Sequence, residues 1–159
     1  MTDDKPLRVA ITLEQCWHDV PGGTASSALE TVAALQERPD VEVLGVAARH
    51  RNRPPAPWTP PIPVRHLGLP RKVLYESWHY LRQPRIQRAT GPVDVIHATT
   101  MAIPPKSAPL VVTVHDLAFL KEPAHFTRHG VRFFRRGLAL AKAKADVVLV
   151  PSQTTFTEC

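Results

Sequence analysis

Short apolar runs alternate along the chain with stretches of helical spacing, and this pattern predicts alternating strands and helices. The predicted strands cover residues 7–13, 41–47, 64–67, 93–98, 110–114 and 145–150. Helices are predicted from Thr24 or Ser26 onward, over 71–82, and from Thr127 to Lys144. A strand, a glycine turn, a helix and a second strand within the first part of the chain form a βαβ unit. The pattern therefore predicts an α/β fold, a Rossmann-like parallel sheet with helices on both faces.

Each predicted helix has one side that is expected to face the core. In the first helix this side comprises Ala25, Ala28, Leu29, Val32 and Leu35. In the helix over 71–82 it comprises Val73, Leu74, Trp78 and Leu81. In the last helix it comprises Val131, Phe134, Leu138 and Ala141, opposite a basic side made of Arg128, Arg132, Arg135 and Lys142.

The run from Val111 to Leu117 organises the predicted site, because an apolar β-branched stretch ends there in His115 and Asp116. Such a run is typical of a central strand covered on both faces. Parallel sheets bind ligands at the carboxyl ends of their strands. Gly22 and Gly23 follow the first strand, and the other candidates at this edge are His97 and Ser152. We expect these residues to converge on one crevice.

Two of these candidates have a structural alternative. Gly22 and Gly23 open a helix, where unpaired backbone N–H groups and the helix dipole can bind an anion. They can equally serve only to turn the chain. His97 can line the crevice, or it can be a buried histidine whose hydrogen bonds support packing. The sequence leaves both alternatives open.

Composition indicates one domain of an ordinary globular protein. A chain of 159 residues with 43% hydrophobic and 21% charged residues can bury a core. No apolar stretch approaches the ~20 residues that span a bilayer. The first five residues are acidic before the chain turns apolar, which is the wrong order for a secretory signal. Cys16 and Cys159 are too few for a disulfide framework. These features predict a cytoplasmic protein, in which Cys16 is inert packing.

The net charge of +6 favours anionic partners. A basic helix over 71–82 that carries Trp78 could lie on an anionic membrane surface, although packing on the sheet with Trp78 in the core is the favoured interpretation. The basic side of the last helix is interpreted as a solvated face, and the Pro- and Arg-rich stretch 49–63 as a surface insert. A nucleic-acid partner is not expected, because no reading motif accompanies the charge.

Motifs for cofactors and metals do not match. His125 and His129 have the spacing of a helical metal pair, but the glutamate of a zinc protease motif is missing between them. The glycine fingerprint G-x-G-x-x-G is absent, and no P-loop lysine follows Gly22 and Gly23. The sequence therefore predicts neither a metal site nor a bound cofactor.

Several segments together carry a family resemblance. They are Pro21-Gly22-Gly23, residues 94–98, residues 112–117, the basic helix before Ala145-Asp146, and residues 148–152. In this order they resemble the N-terminal domain of a family 4 retaining glycosyltransferase of the GT-B type. The resemblance implies that residues 1–159 are a truncated Rossmann-like domain, the N-terminal half of a GT-B fold. The C-terminal domain that binds the donor would then be absent and would be this domain's partner.

The resemblance also implies an activity and a site. The full-length protein would transfer a hexose from a nucleotide sugar to a saccharide or lipid-linked acceptor with retention, and this chain alone would be inactive. His115 would lie beside the transferred sugar, with Asp116 orienting its turn. The substrate-binding residues would be Gly22, Gly23, Thr24, His97 and Ser152, with no metal required. The alternative is a stand-alone module that binds an anion or a membrane without catalysis. A cytoplasmic location, peripheral at the inner face of the membrane, would fit either function.

Overall fold

A computed structural model describes residues 5–158 of the protein. The predictions about targeting and disulfides used residues 1–4 and Cys159, which lie outside the described residues. None of the helices within residues 5–158 is long and apolar enough to cross a bilayer.

The fold is built on one sheet of six parallel strands in the order β3-β2-β1-β4-β5-β6. The strands are β1 (Leu7–Thr12), β2 (Val41–Ala47), β3 (Val64–His66), β4 (Val95–Ala98), β5 (Leu110–Thr113) and β6 (Val147–Leu149). The chain reverses its direction of progress between β1 and β4, so the topological switch point lies between these two strands. This arrangement confirms the predicted Rossmann-like sheet.

Helices cover both faces of the sheet. They are α1 (Gly22–Gln36), α2 (Arg71–Glu76), α3 (Gln87–Thr90), α4 (Ala118–Lys121), α5 (Arg128–Lys144) and α6 (Gln153–Glu158). Helix α1 packs on the face that carries Ile11 and Val43. Residues of α2 and α5 pack with Ala10 and Ile96 on the other face. Neighbouring β1 residues point to opposite faces, which is why an apolar run without alternation is buried on both sides.

The start of α1 differs from the prediction. The helix begins at Gly22 rather than after Thr24 or Ser26, and no side chain caps it. Gly22 has a φ of +62°, which glycine adopts without a steric cost. The hydroxyl of Thr24 instead donates to the carbonyl of Pro21 within the first turn.

The predicted helix over 71–82 is also different. Helix α2 ends at Glu76, and a π-helical turn, Ser77–Leu81, follows it. The wider turn rotates the later side chains, so Trp78 is buried as predicted while Leu81 is 73% exposed. Val73 is exposed as well, so placing Val73 and Leu81 on a core-facing side was wrong.

The last strand is shorter and more exposed than predicted. β6 covers Val147–Leu149 at the edge of the sheet, and each of its three side chains is at least 44% exposed. The prediction of a buried strand over 145–150 was therefore wrong, because period and composition do not distinguish an edge strand from a central one. Short helices also occur between the predicted elements, at Glu14–Trp17 and at Ala118–Lys121.

Candidate functional site

The carboxyl ends of β1 and β4 are joined at the switch point by a network of polar side chains. The backbone N–H of Thr99 donates to Oγ1 of Thr12 at 3.0 Å, and the Thr99 hydroxyl donates to the carbonyl of Thr12. Nε2 of Gln15 donates to Oγ1 of Thr99 at 2.7 Å. All three side chains are at most 4% exposed. Buried hydrogen bonds from several directions fix the position of the Thr99 backbone.

That backbone in turn holds His115. Nε2 of His115 lies 2.9 Å from the carbonyl oxygen of Thr99. A carbonyl can only accept, so Nε2 carries a proton, and in the neutral tautomer that this contact selects, Nδ1 keeps its lone pair. On the other side, the hydroxyl of Thr155 in α6 donates to the carbonyl of His115 at 3.1 Å. His115 is half-buried. Thr99 orients its ring, and Thr155 orients its backbone.

His97 lies beside this arrangement. It is 6% exposed, and its Nε2 lies 2.8 Å from Oγ1 of Thr113 on the neighbouring strand. Burial, and secondarily the electrostatic interaction with His115, lowers the pKa of His97 from 6.5 to about 4. A neutral, hydrogen-bonded ring at this position supports the packing of β4 against β5.

The depressed pKa of His97 predicts a pH-dependent stability. Its folded pKa of about 4 lies below the unfolded value of 6.5, so the unfolded state binds the additional proton between these values. The contribution is complete above about pH 6.5 and is lost as the pH falls toward 4. Between about pH 4 and 6.5, we expect His97→Gln to reduce the slope of the unfolding free energy against pH. The reduction should correspond to about one bound proton. Urea denaturation at a series of pH values measures this slope.

A matched control is His129→Gln, because the His129 side chain is 64% exposed. This variant is expected to keep the wild-type slope. An unchanged slope in His97→Gln would contradict the assignment of a neutral His97.

Asp116 and Ser152 shape the turns that follow β5 and β6. Asp116 is exposed, and its Oδ1 accepts a hydrogen bond from the backbone N–H of Ala118 at 3.0 Å, at the start of α4. The hydroxyl of Ser152 likewise accepts from the backbone N–H of Thr155 at 3.1 Å, at the start of α6. Ser152 therefore supports the same Thr155 that contacts His115.

Gly22 and Gly23 lie at the same edge of the sheet, since α1 follows β1. Both glycines are exposed, and the first turn of α1 has no side-chain cap. Its backbone N–H groups carry the positive end of the helix dipole. Among the hydrogen bonds of residues 5–158, none links Gly22, Gly23 or Thr24 to His115. The glycines and His115 thus lie at the same edge of the sheet and are not joined by a hydrogen bond.

A second cluster at this edge was missed by sequence reasoning. The carboxylate of Glu14 is 4% exposed; it accepts from the backbone N–H of Ala48 at 2.7 Å and lies 2.9 Å from Nε2 of His50. The His50 ring stacks on Trp17 at 4.7 Å. This cluster connects the ends of β1 and β2. The signal for it was the same as for His115, a polar residue directly after an apolar strand.

Cys16 is unreactive, and His125 and His129 contact different partners. Burial, and then the nearby charge of Glu14, raise the pKa of the Cys16 thiol to about 11, so the thiolate is scarce at neutral pH. His125 pairs with Glu122, whereas His129 lies near Glu76. In the part of the chain that the structure describes, no group of three or more His, Cys, Asp or Glu residues could hold a metal ion.

Comparison with known protein families identifies the family to which most of the chain is similar. The family model described as Glycosyltransferase Family 4 matches residues 21–158, which is most of the chain. The match includes Gly22, Gly23, His97, His115 and Ser152. No curated protein matches the chain.

Proposed function

The chain belongs to glycosyltransferase family 4, and we propose that the full-length protein transfers a hexose from a nucleotide sugar to a saccharide or lipid-linked acceptor with retention. The fold supports this proposal, because ligands of doubly wound sheets bind at the carboxyl ends of the strands, next to the switch point. His115 and the start of α1 both lie at that edge. We propose His115 as the residue next to the transferred sugar.

The observation that carries the proposal is the hydrogen bond from Nε2 of His115 to the carbonyl of Thr99. It fixes the tautomer, so that Nδ1 is the nitrogen left to accept a hydrogen bond from a sugar hydroxyl. Because Thr12 and Gln15 hold Thr99 in place, the ring is oriented before the substrate arrives. Positioning of this kind lowers the entropic barrier of a transfer reaction.

The departing diphosphate needs stabilisation of its developing negative charge. Backbone N–H groups and helix dipoles are suited to this task, since they are already oriented. The uncapped first turn of α1, at Gly22 and Gly23, offers such groups at the correct edge. We propose that a second domain supplies the other contacts to the nucleotide, and that this chain alone is inactive.

The test uses the protein expressed from its complete native reading frame. Nucleotide sugars with uracil, guanine or adenine bases are incubated with saccharide and lipid-linked acceptors, and the release of nucleoside diphosphate is measured. We expect release from at least one donor that depends on the acceptor, and NMR of the product to show the donor's anomeric configuration. Ligand binding without any release would contradict the proposed transfer and favour a binding module, and an inverted product would contradict retention.

A further inference from the structure

Helix α5 presents a basic face on the surface of the protein. Arg128, Arg132 and Arg135 are exposed and lie three or four residues apart, so they share one side of the helix. The helix contains no aspartate or glutamate, and Lys142 extends the same charge along it. Among the ion pairs of the described residues, none involves these three arginines. A surface with so much uncompensated positive charge attracts polyanions.

Exposed apolar side chains lie on the π-helical turn that packs against α5. Tyr80 is 52% exposed and Leu81 is 73% exposed, both in the π-helical turn. Arg136 of α5 links the two elements: its guanidinium lies 4.5 Å from the centre of the Tyr80 ring, and its Nε donates to the carbonyl of His79 at 3.0 Å. The basic–apolar surface is thus defined by Arg128, Arg132, Arg135, Arg136, Tyr80 and Leu81.

The protein holds the apolar part of this surface in an outward position. Arg82 ends the π-helical turn with a φ of 54°, an uncommon conformation for a residue other than glycine. Its guanidinium donates to the carbonyls of Ile103 at 2.9 Å and Pro104 at 2.6 Å, which anchors the turn to the chain after β4. In the same π-helical turn, Trp78 and His79 are buried. The exposure of Leu81 is therefore built into the fold.

We propose that the basic–apolar surface docks on an anionic lipid bilayer. Arginines bind lipid phosphates, while tyrosine and leucine side chains insert at the boundary between headgroups and acyl chains. Each basic residue near such a membrane contributes about 1 kcal/mol. A nucleic acid would use the arginines but would leave Leu81 in water, so the combination of charges and apolar side chains favours a lipid surface. This inference goes beyond the proposed transfer reaction, and binding to the membrane is measured without that reaction taking place.

The experiment is flotation with vesicles of phosphatidylcholine, alone or mixed with an equal amount of phosphatidylglycerol. We expect the wild-type protein to float with the mixed vesicles and to remain behind with the neutral ones. The double variant Arg132→Glu/Arg135→Glu is expected to bind at least about tenfold more weakly. Leu81→Ser keeps the net charge and is expected to weaken binding several-fold, because the inserted side chain is lost.

The matched control is Arg51→Glu/Arg53→Glu, which makes the same change in charge at exposed positions of the Pro-rich loop. This variant is expected to bind nearly like the wild type. An equal loss in both double variants would overturn the proposal in favour of adsorption by net charge. Binding to duplex DNA that is insensitive to Leu81→Ser, together with no flotation, would overturn it in favour of a nucleic-acid partner. Thermal unfolding verifies that each variant is folded.

Discussion

Replacing His115 by alanine in the full-length protein is expected to lower kcat by at least about a hundredfold, in the range that a positioned acid–base or hydrogen-bonding side chain contributes. The variant loses Nδ1, the nitrogen proposed to face the sugar, and it also loses the hydrogen bond to the Thr99 carbonyl. His115 is only half-buried, so we expect the variant to fold. Initial rates at saturating donor and acceptor measure the effect.

A second substitution separates orientation from chemistry. In His115→Gln the side-chain amide can still donate to Thr99, but it offers no ring nitrogen at the Nδ1 position. We expect this variant to be nearly as slow as His115→Ala if Nδ1 accepts a substrate hydrogen bond. His129→Ala, which alters an exposed histidine on α5, is the control and should retain the wild-type kcat. Wild-type turnover in His115→Ala would remove His115 from the mechanism.

The sheet could be predicted because its strands are encoded locally. The run that precedes His115 is apolar and β-branched, and such a run is buried as a parallel strand in most contexts. The order of elements then places the ends of β1, β4, β5 and β6 along one edge. This is why Gly22, His97, His115 and Ser152 could be assigned to one edge from the sequence alone, whereas their roles remain predictions.

The partners of His115 could not be predicted, because they are distant in the sequence. Thr99 is sixteen residues from His115, and Thr155 is forty residues away. Gln15 reaches Thr99 across 84 residues. A pattern of spacing contains no information on contacts of this length. The direction of Nδ1 follows from these contacts, so it is visible only in the folded protein.

The exposure of Leu81 and the partners of Asp146 depend on local geometry, which the periodicity of the sequence does not show. One π-helical turn moved Leu81 from a predicted core position to the surface. Asp146 belongs to one of the segments that carry the family resemblance. Its Oδ2 accepts a hydrogen bond from the backbone N–H of Leu110 at 2.7 Å. Its other oxygen accepts from Lys106, and this hydrogen bond lowers the pKa of Asp146. The motif therefore ties the start of β6 to the start of β5.

The interior contact of α5 leads to the other large expected effect. Gly137 is buried against the chain after β4, and a Cβ at this position would lie 2.4 Å from the carbonyl oxygen of Met101 and 2.9 Å from its Cβ. The same carbonyl lies 2.9 Å from Nε2 of the buried His79. Gly137→Ala must therefore displace either α5 or the backbone at Met101. Overpacking of this kind costs about 1–3 kcal/mol or more, which exceeds the gain of about 1 kcal/mol from helix propensity.

We expect Gly137→Ala to lower the Tm by several degrees, and chemical denaturation to show a loss of about 2 kcal/mol in the free energy of unfolding. Gly23→Ala in α1 is the matched control, because an added Cβ there has no atom within 4 Å. It should leave the stability unchanged or slightly higher. A Gly137→Ala protein as stable as the wild type would show that α5 can move away from Met101 at little cost. Met101 lies two residues after Thr99, whose carbonyl contacts His115. A mobile α5–Met101 contact would therefore also mean that the backbone supporting His115 is less rigid than these contacts indicate.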